Sequence, residues 1–412
     1  MAVKKYLVFL LLNVCGLIAC FAQESLWSLT DAESPVINKD GSVTFYYADP
    51  AAESVSVSGD FLPPATIDTP SGKMEVQGSA ALARDENGVW SYTTAPLAPE
   101  LYAYTLTVNG VRMLDPANVY VNRDVSSLMN IFIVSRAEND KGDLYSVNDV
   151  PHGNVSKVWY DSPSLKMKRR MTVYTPAGYE DGKDYPVLYL LHGAGGDEDA
   201  WPTLGRTAQI MDNLIAAGKA VPMIVVMPNG NVNCEAAPGE WSKGMYKPTF
   251  EGSLKLDPKP LASMDESFKD IVEYVESHYK VAKDRQHRAV CGLSMGGGHS
   301  FAIANRYPGM FDYVGLFSAG LHIHEQAGFD KFYDFLKADK DIQDKLAAVF
   351  AAKPALYWIA IGNTDFLYQQ NSDLRRFLDE KGYGYEYLET DGGHIWRNWR
   401  VYLTEFAQRV FK

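Results

Sequence analysis

The chain predicts two architectures in series, an all-β sandwich followed by a doubly wound, mostly parallel α/β sheet. From Ser34 to about Val134, short alternating segments such as Val43-Thr44-Phe45-Tyr46-Tyr47, Val55-Ser56-Val57-Ser58, Val89-Trp90-Ser91-Tyr92 and Leu101 to Val108 are separated by turn residues. Beyond residue 157 the texture changes: Tyr185 to Leu191 and Met223 to Met227 are near-continuous apolar runs, the mark of strands buried on both faces. Stretches with helical apolar spacing lie between such runs, as in Thr207 to Lys219 with Ile210, Met211 and Leu214 on one face. A chain of 412 residues is also long for one core.

Taken in order, the first residues read as a leader rather than as part of a fold. Lys4 and Lys5 precede an apolar run from Tyr6 to Ala19, long enough for a signal-peptide core and short for a membrane span. Cleavage after Ala22 makes residues 1–22 a signal peptide and the protein exported, periplasmic or secreted; Leu17-Ile18-Ala19-Cys20 also resembles a lipobox, which would instead put a lipid anchor on Cys20 and the protein on the bacterial surface. No later stretch is apolar enough to span a bilayer. The sandwich occupies 23–136, with Asn109-Gly110 as its strongest hairpin signal. Trp27 and Tyr120 are candidate sugar-stacking rings, whereas Trp90 and Tyr104 fit the core. The charged stretch 137–153 reads as a linker, and the α/β domain runs from 154 to 412.

With 39 basic and 51 acidic residues, the formal charge of −12 argues against nucleic acid or an anionic membrane surface as partner and suits a neutral polysaccharide. Two of the four cysteines, Cys15 and Cys20, belong to the leader; Cys234 and Cys291 remain, and Cys291 lies on a core strand where a free thiol is expected.

The chemistry centres on Gly292-Leu293-Ser294-Met295-Gly296, which sits between an apolar strand and a helical segment. In such a nucleophile elbow the glycines let strand and helix cross closely, while a strained turn presents the serine hydroxyl at the top of the sheet. A serine nucleophile needs a base and an acid that orients it, in the chain order serine, acid, histidine for an α/β hydrolase. Of eight histidines, His394 is the one beyond the elbow that follows the last predicted strand and opens the last helix; Asp365 follows a strong strand between Ser294 and His394. The oxyanion donors are the N–H of Met295 and that of Ala194, or alternatively of Gly193, in the loop His192-Gly193-Ala194-Gly195-Gly196. His192 is read as a structural residue that orients this loop. His322-x-His324 lacks a partner group at ligand spacing, so neither a metal nor any other cofactor is expected.

At this point the sequence resembles a known family. His192 to Trp201, the phrase Pro222 to Gly230, the elbow, Asp365-Phe366-Leu367-Tyr368 and Gly392-Gly393-His394 are together similar to the family 1 carbohydrate esterases, which include feruloyl and acetyl xylan esterases. Val57 to Phe61, Asp85 to Trp90 and Val111 to Asn118 resemble an immunoglobulin-like module of the glycogen-binding type. The resemblance implies a Ser294–His394–Asp365 serine esterase acting on plant arabinoxylan or its oligosaccharides, and it departs from the family only at Asn363-Thr364, where acidic residues are common. The aromatic-rich segment 231–258 favours a feruloyl group, with acetyl xylan esterase second, and Trp201, Trp241 and Tyr246 are the candidate substrate contacts. A siderophore esterase and a catalytically silent glycan-binding protein are the further readings.

Overall fold

Alternation of apolar and polar residues builds the first part of the chain and double-sided apolar runs build the second. The computed structural model describes residues 33–69, 72–242, 260–321 and 331–412, divided between two compact units: 33–96 with 105–119, and 97–104 with the described residues from 120 onward. In the first unit, Val36–Ile37, Val43–Ala48, Val89–Thr93 and Ala83–Arg84 form an antiparallel sheet. Val55–Gly59 pairs antiparallel with Gly78–Ala81. Asn109 and Gly110 both take positive φ, 49° and 82°, so that Val111–Met113 folds back on Leu106–Val108, as the Asn-Gly pair predicts. Val43, Phe45, Val57 and Trp90 are buried inside this unit, and the Phe45 and Phe61 rings stack at 5.3 Å.

The second unit holds an eight-stranded sheet among its described residues. Its strands are β1 (Asn154–Ser162), β2 (Met167–Thr175), β3 (Val187–Leu191), β4 (Ile224–Pro228), β5 (Arg288–Leu293), β6 (Tyr313–Phe317), β7 (Leu356–Gly362) and β8 (Glu386–Thr390). They lie in the order β1-β2-β4-β3-β5-β6-β7-β8 and are parallel from β4 onward, with β1 and β2 antiparallel at one edge. Period-two alternation divides the apolar side chains between two cores. Val187, Tyr189 and Leu191 of β3, Ile224 and Val226 of β4, and Tyr357 and Ile359 of β7 face one core. There they meet helices α2 (Met264–His278), α3 (Met295–Arg306), α4 (Phe332–Ala338), α5 (Lys340–Ala351) and α6 (Tyr368–Lys381). Leu188, Leu190, Val225, Met227 and Trp358 face the other core, packed against α1 (Thr207–Ala216) and α7 (Trp396–Ala407). Helices thus cover both faces of a mostly parallel sheet, which leaves the carboxyl ends of the strands as the place for a site.

Residues 137–153 carry a short helix, Lys141–Tyr145, capped by the Asp140 carboxylate on the Asp143 N–H and anchored by the buried Tyr145. Tyr120, a candidate stacking ring, is 43 % exposed and lies against the Arg206 guanidinium; Trp27 falls outside the described residues. Cys234 and Cys291 are both free and buried; burial pushes the Cys234 thiol up to about 12 and the Cys291 thiol well above its ordinary value. Among the described residues no helix is long and apolar enough to cross a membrane.

Candidate active site

Steric demand explains the glycines around Ser294. A Cβ on Gly292 would lie 2.6 Å from the carbonyl carbon of Gly296, one on Gly296 would lie 2.4 Å from the Leu191 oxygen, and one on Gly297 would lie 2.8 Å from Cα of Ala319. Each contact is with backbone, which cannot swing aside, so β5 and α3 reach their crossing distance only with bare Cα atoms. Gly296→Ala is therefore expected to lower stability by about 2 kcal/mol or more, read as a thermal unfolding measurement beside wild type. Ser294 itself sits at φ 52° and ψ −115°, a conformation held by its N–H donating to Phe317 O at 2.9 Å and its carbonyl accepting from Gly298 N–H at 3.0 Å and Gly320 N–H at 2.9 Å.

The neighbouring loop is set by one imidazole. His192 is buried, its Nδ1 lies 2.8 Å from Gly193 O, and its Nε2 lies 2.7 Å from the Gly230 nitrogen. Because the Gly230 N–H must donate, Nε2 is the bare nitrogen and Nδ1–H donates to Gly193 O; burial lowers the His192 pKa and keeps the ring neutral. Gly193 O also accepts from Gly196 N–H at 3.1 Å. In a trans peptide the carbonyl and the next N–H point in opposite directions, so fixing Gly193 O toward His192 turns the Ala194 N–H away from it. Gly193 lies directly against the serine, since a Cβ there would be 3.3 Å from Cβ of Ser294. Met295 is the first residue of α3, whose leading N–H groups have no intrahelical acceptor.

Asp365 and His394 meet across the ends of β7 and β8. The His394 Nδ1–H donates to the Asp365 carboxylate at 2.9 and 3.0 Å, and the Leu367 N–H donates to the same carboxylate at 2.9 Å. The Asp365 side chain is fully buried and that of His394 is 18 % exposed. Asn363 straps the two loops together: its Nδ2 donates to Asp391 at 3.0 Å and its Oδ1 accepts from Gly392 N–H at 3.2 Å. Backbone bonds from Asn363 N–H to Thr390 O (2.8 Å) and from Thr364 N–H to Gly392 O (3.1 Å) complete the strap. The departure at Asn363-Thr364 is therefore a structural joint. Trp399 stands edge-on beneath His394, with ring centroids 4.9 Å apart, and its indole N–H donates to Ser318 Oγ at 3.2 Å.

Glu198 is a buried structural residue that nothing in its local sequence singles out. Its buried carboxylate accepts from Arg170 Nε at 2.6 Å, Ala237 N–H at 2.9 Å and Asn229 Nδ2 at 2.8 Å, joining the loop after β3 to the segment after β4. Burial raises its pKa, against the Arg170 and Ala237 bonds that favour the charged form.

Trp201 requires a correction. It is 1 % exposed, its indole N–H donates to Leu191 O at 2.9 Å, and its ring packs edge-on against Phe317 and Trp396, so it has no face left for a ligand. Trp241 is partly exposed, with its indole N–H on Ala236 O; Tyr246 lies outside the described residues, as do His322 and His324. A cavity of about 680 Å³ runs along one side of α3, lined by Met295, Gly298, His299, Ala302, Asn231 and Leu321 among others. Among the described residues no group of three His, Cys, Asp or Glu side chains could hold a metal ion.

Known proteins are similar to the chain over much of its length. The family model described as "Putative esterase" matches residues 162–410. An endo-1,4-beta-xylanase/feruloyl esterase of Xylanibacter ruminicola is 30 % identical over 388 residues, covering 92 % of this chain, which spans only 46 % of that protein's length. An acetyl esterase of Caldicellulosiruptor saccharolyticus is 27 % identical over 255 residues, covering 56 % of this chain and 85 % of its own. The enterobactin esterase FES of Shigella flexneri shares the fold, with a TM-score of 0.58 at 16 % identity over 89 % of this chain and 92 % of its own. With the Ser294 turn and the Asp365–His394 pair both inside the matched residues, the chain belongs to the esterase family.

Proposed function

We propose that the protein is an exported serine carboxylesterase that removes feruloyl groups from arabinoxylan. The observation that carries the reading is the buried Asp365 carboxylate holding His394 by Nδ1 on the same sheet edge that presents Ser294 in its strained turn. That bond leaves Nε2 as the basic nitrogen. In the first step His394 Nε2 takes the Ser294 proton as the serine oxygen bonds to the ester carbonyl carbon; negative charge gathers on the carbonyl oxygen against the Met295 and Ala194 N–H groups, with Gly193 as the alternative donor. Collapse of the tetrahedral intermediate breaks the bond to the sugar oxygen, which leaves with the proton from Nε2. Water then repeats the sequence on the acyl-enzyme, delivering its proton to His394 and releasing the acid and free Ser294. The chain's own residues suffice for every proton transfer.

A feruloyl acyl group is favoured by the similarity to the Xylanibacter xylanase/feruloyl esterase and by the cavity beside Met295, large enough for a planar hydroxycinnamoyl group. The acetyl esterase relative supports acetylated xylan as second substrate. On this reading residues 23–136 form an immunoglobulin-like module of the glycogen-binding type, 154–412 form the α/β-hydrolase domain, and the leader at 1–22 directs export. The test is a comparison of initial rates on methyl ferulate, acetylated xylan and a short acyl ester. A kcat/KM on methyl ferulate at least tenfold above that on the acetylated substrates is expected; a preference for acetylated xylan moves the assignment to acetyl xylan esterase.

A further inference from the structure

A hairpin from outside the eight-stranded sheet reaches the site. Val121–Asp124 and Ser127–Val134 pair antiparallel, and Asn130 to Val134 pair in turn with Glu100 to Tyr104. All of these residues belong to the second compact unit. The base of the hairpin is fixed, because Leu101 and Ile131 are buried in the same core as Trp201 and Trp399. Its tip is a tight turn in which Val125 takes φ 51°, a conformation that a β-branched side chain disfavours. Arg123 Nη1–H donates to the Val125 carbonyl at 3.0 Å and braces that turn.

The tip meets two segments that flank the chemistry. Arg123 Nη2–H donates to Asp197 Oδ2 at 2.5 Å, in the loop after β3 that carries Ala194. The Asp197 side chain is 1 % exposed, and its Oδ1 accepts from the Asp199 N–H at 3.1 Å. A carboxylate so far removed from water needs a counter-charge, and Arg123 brings one from the hairpin. Asp124, the next residue, accepts from the Trp396 side chain, whose only donor is the indole N–H. Trp396 is the first residue of α7, and the Ile395 before it, adjacent to His394, makes no side-chain capping bond. Asp124 therefore supplies a hold on the start of α7 that an isoleucine cap cannot. From Trp396 the packing passes to Trp399, 5.2 Å away between ring centroids, and from Trp399 to His394 at 4.9 Å.

We propose that Arg123 and Asp124 are positioning residues for ester hydrolysis, Arg123 fixing the loop after β3 against the Ser294 turn and Asp124 fixing the start of α7 beside His394. This rests on the reading of His394 as the base and of Ala194 as an oxyanion donor. Both roles concern groups that matter most in the transition state: the angle of the imidazole toward the serine oxygen, and the direction of an N–H toward the developing negative charge. Small displacements of either slow the chemical step. Substrate binding depends instead on the cavity along α3, so the cost of losing either residue falls on kcat and not on KM.

The test uses the full chain with Arg123→Ala, Asp124→Leu and Asp124→Asn, and His394→Ala as control. Steady-state rates on methyl ferulate and 4-nitrophenyl acetate are taken well below each variant's unfolding transition, with the folded fraction read by circular dichroism. Arg123→Ala and Asp124→Leu are each expected to lower kcat roughly five- to twentyfold on both esters with KM within about twofold. Asp124→Asn keeps an oxygen for the Trp396 N–H and is expected to hold kcat within about twofold of wild type. Should a single variant fail to fold, Asp124→Ala, or Arg123→Ala combined with Asp197→Asn so that no buried charge is stranded, is read in its place. A lowered melting temperature with kcat of the folded protein unchanged would overturn the proposal, leaving the hairpin a support of the fold alone. So would a loss carried by KM, or an Asp124→Asn as slow as Asp124→Leu. A His394→Ala that keeps its kcat would remove the assignment of the base, a failure distinct from hairpin variants that stay fast beside an inactive His394→Ala. Wild-type inactivity on methyl ferulate alone would end the feruloyl reading while the 4-nitrophenyl ester still decides the hairpin; inactivity on both would remove both.

Discussion

Replacing Ser294 by alanine is expected to lower kcat by a factor on the order of 10⁵ while shifting Tm by less than about 2 °C. The first half of this expectation comes from chemistry: no other hydroxyl is held in the elbow, so without the serine oxygen the reaction is left with oxyanion stabilisation and binding alone. Its second half comes from geometry. The three bonds that hold the turn, to Phe317, Gly298 and Gly320, all run through the Ser294 backbone, and the side chain makes no capping bond to α3. Alanine meets the same cost at φ 52° as serine, since both carry one unbranched Cβ. The measurement is a kcat determination on methyl ferulate beside a thermal unfolding curve. A loss below a hundredfold with an unchanged Tm would mean that another group attacks the ester. A collapse of Tm would mean that the serine serves the turn itself.

Most of the sheet was readable because each of its central strands is buried on both faces. Such a strand must be apolar at every position, and Tyr185 to Leu191 and Met223 to Met227 are, which brackets β3 and β4 to within about two residues. The elbow was readable for a different reason: its requirements are local, bare Cα atoms on either side of one strained serine. Asp365 and His394 are legible as candidates from chain order at strand ends, and the bond between them follows from the parallel pairing of β7 and β8.

The features that are not legible locally depend mostly on contacts far apart in sequence. Glu198 looks like one of three acidic residues in a polar loop, and nothing local marks it as the one whose carboxylate binds Arg170, Asn229 and Ala237. Trp201 differs from its expected role because an aromatic residue near a site by sequence serves equally well as a ligand contact or as packing; its burial and its indole bond to Leu191 O make it packing. Helices α4 and α5 have an apolar spacing that is interrupted in the sequence. Phe332, Phe335 and Leu336, then Leu346 and Val349, keep helical spacing, but the charged stretch Lys337 to Lys345 between them obscures it. Asp339 accepts from the Asp341 and Ile342 N–H groups and so starts α5 within that stretch.

Asp365→Asn should cost about 10³- to 10⁴-fold in kcat with little change in stability, because it preserves shape and reverses one hydrogen bond. In the native site Oδ1 accepts from both Leu367 N–H and His394 Nδ1–H, while Oδ2 accepts from Nδ1–H alone, at 2.9 Å. An asparagine keeps its carbonyl oxygen where the Leu367 N–H donates, since that backbone donor has no alternative orientation. Its NH₂ group then replaces Oδ2 and faces His394 Nδ1. Two donors cannot share that contact, so the imidazole moves its proton to Nε2 and offers Nδ1 as acceptor. The nitrogen that should take the Ser294 proton is now occupied, and no negative charge remains to stabilise the imidazolium. The turn itself is kept, because the Leu367 bond and the Asn363 strap are untouched. Single-turnover kinetics and a thermal melt on the variant check both parts: a kcat within tenfold of wild type would reduce Asp365 to a turn-capping residue and require a different partner for His394.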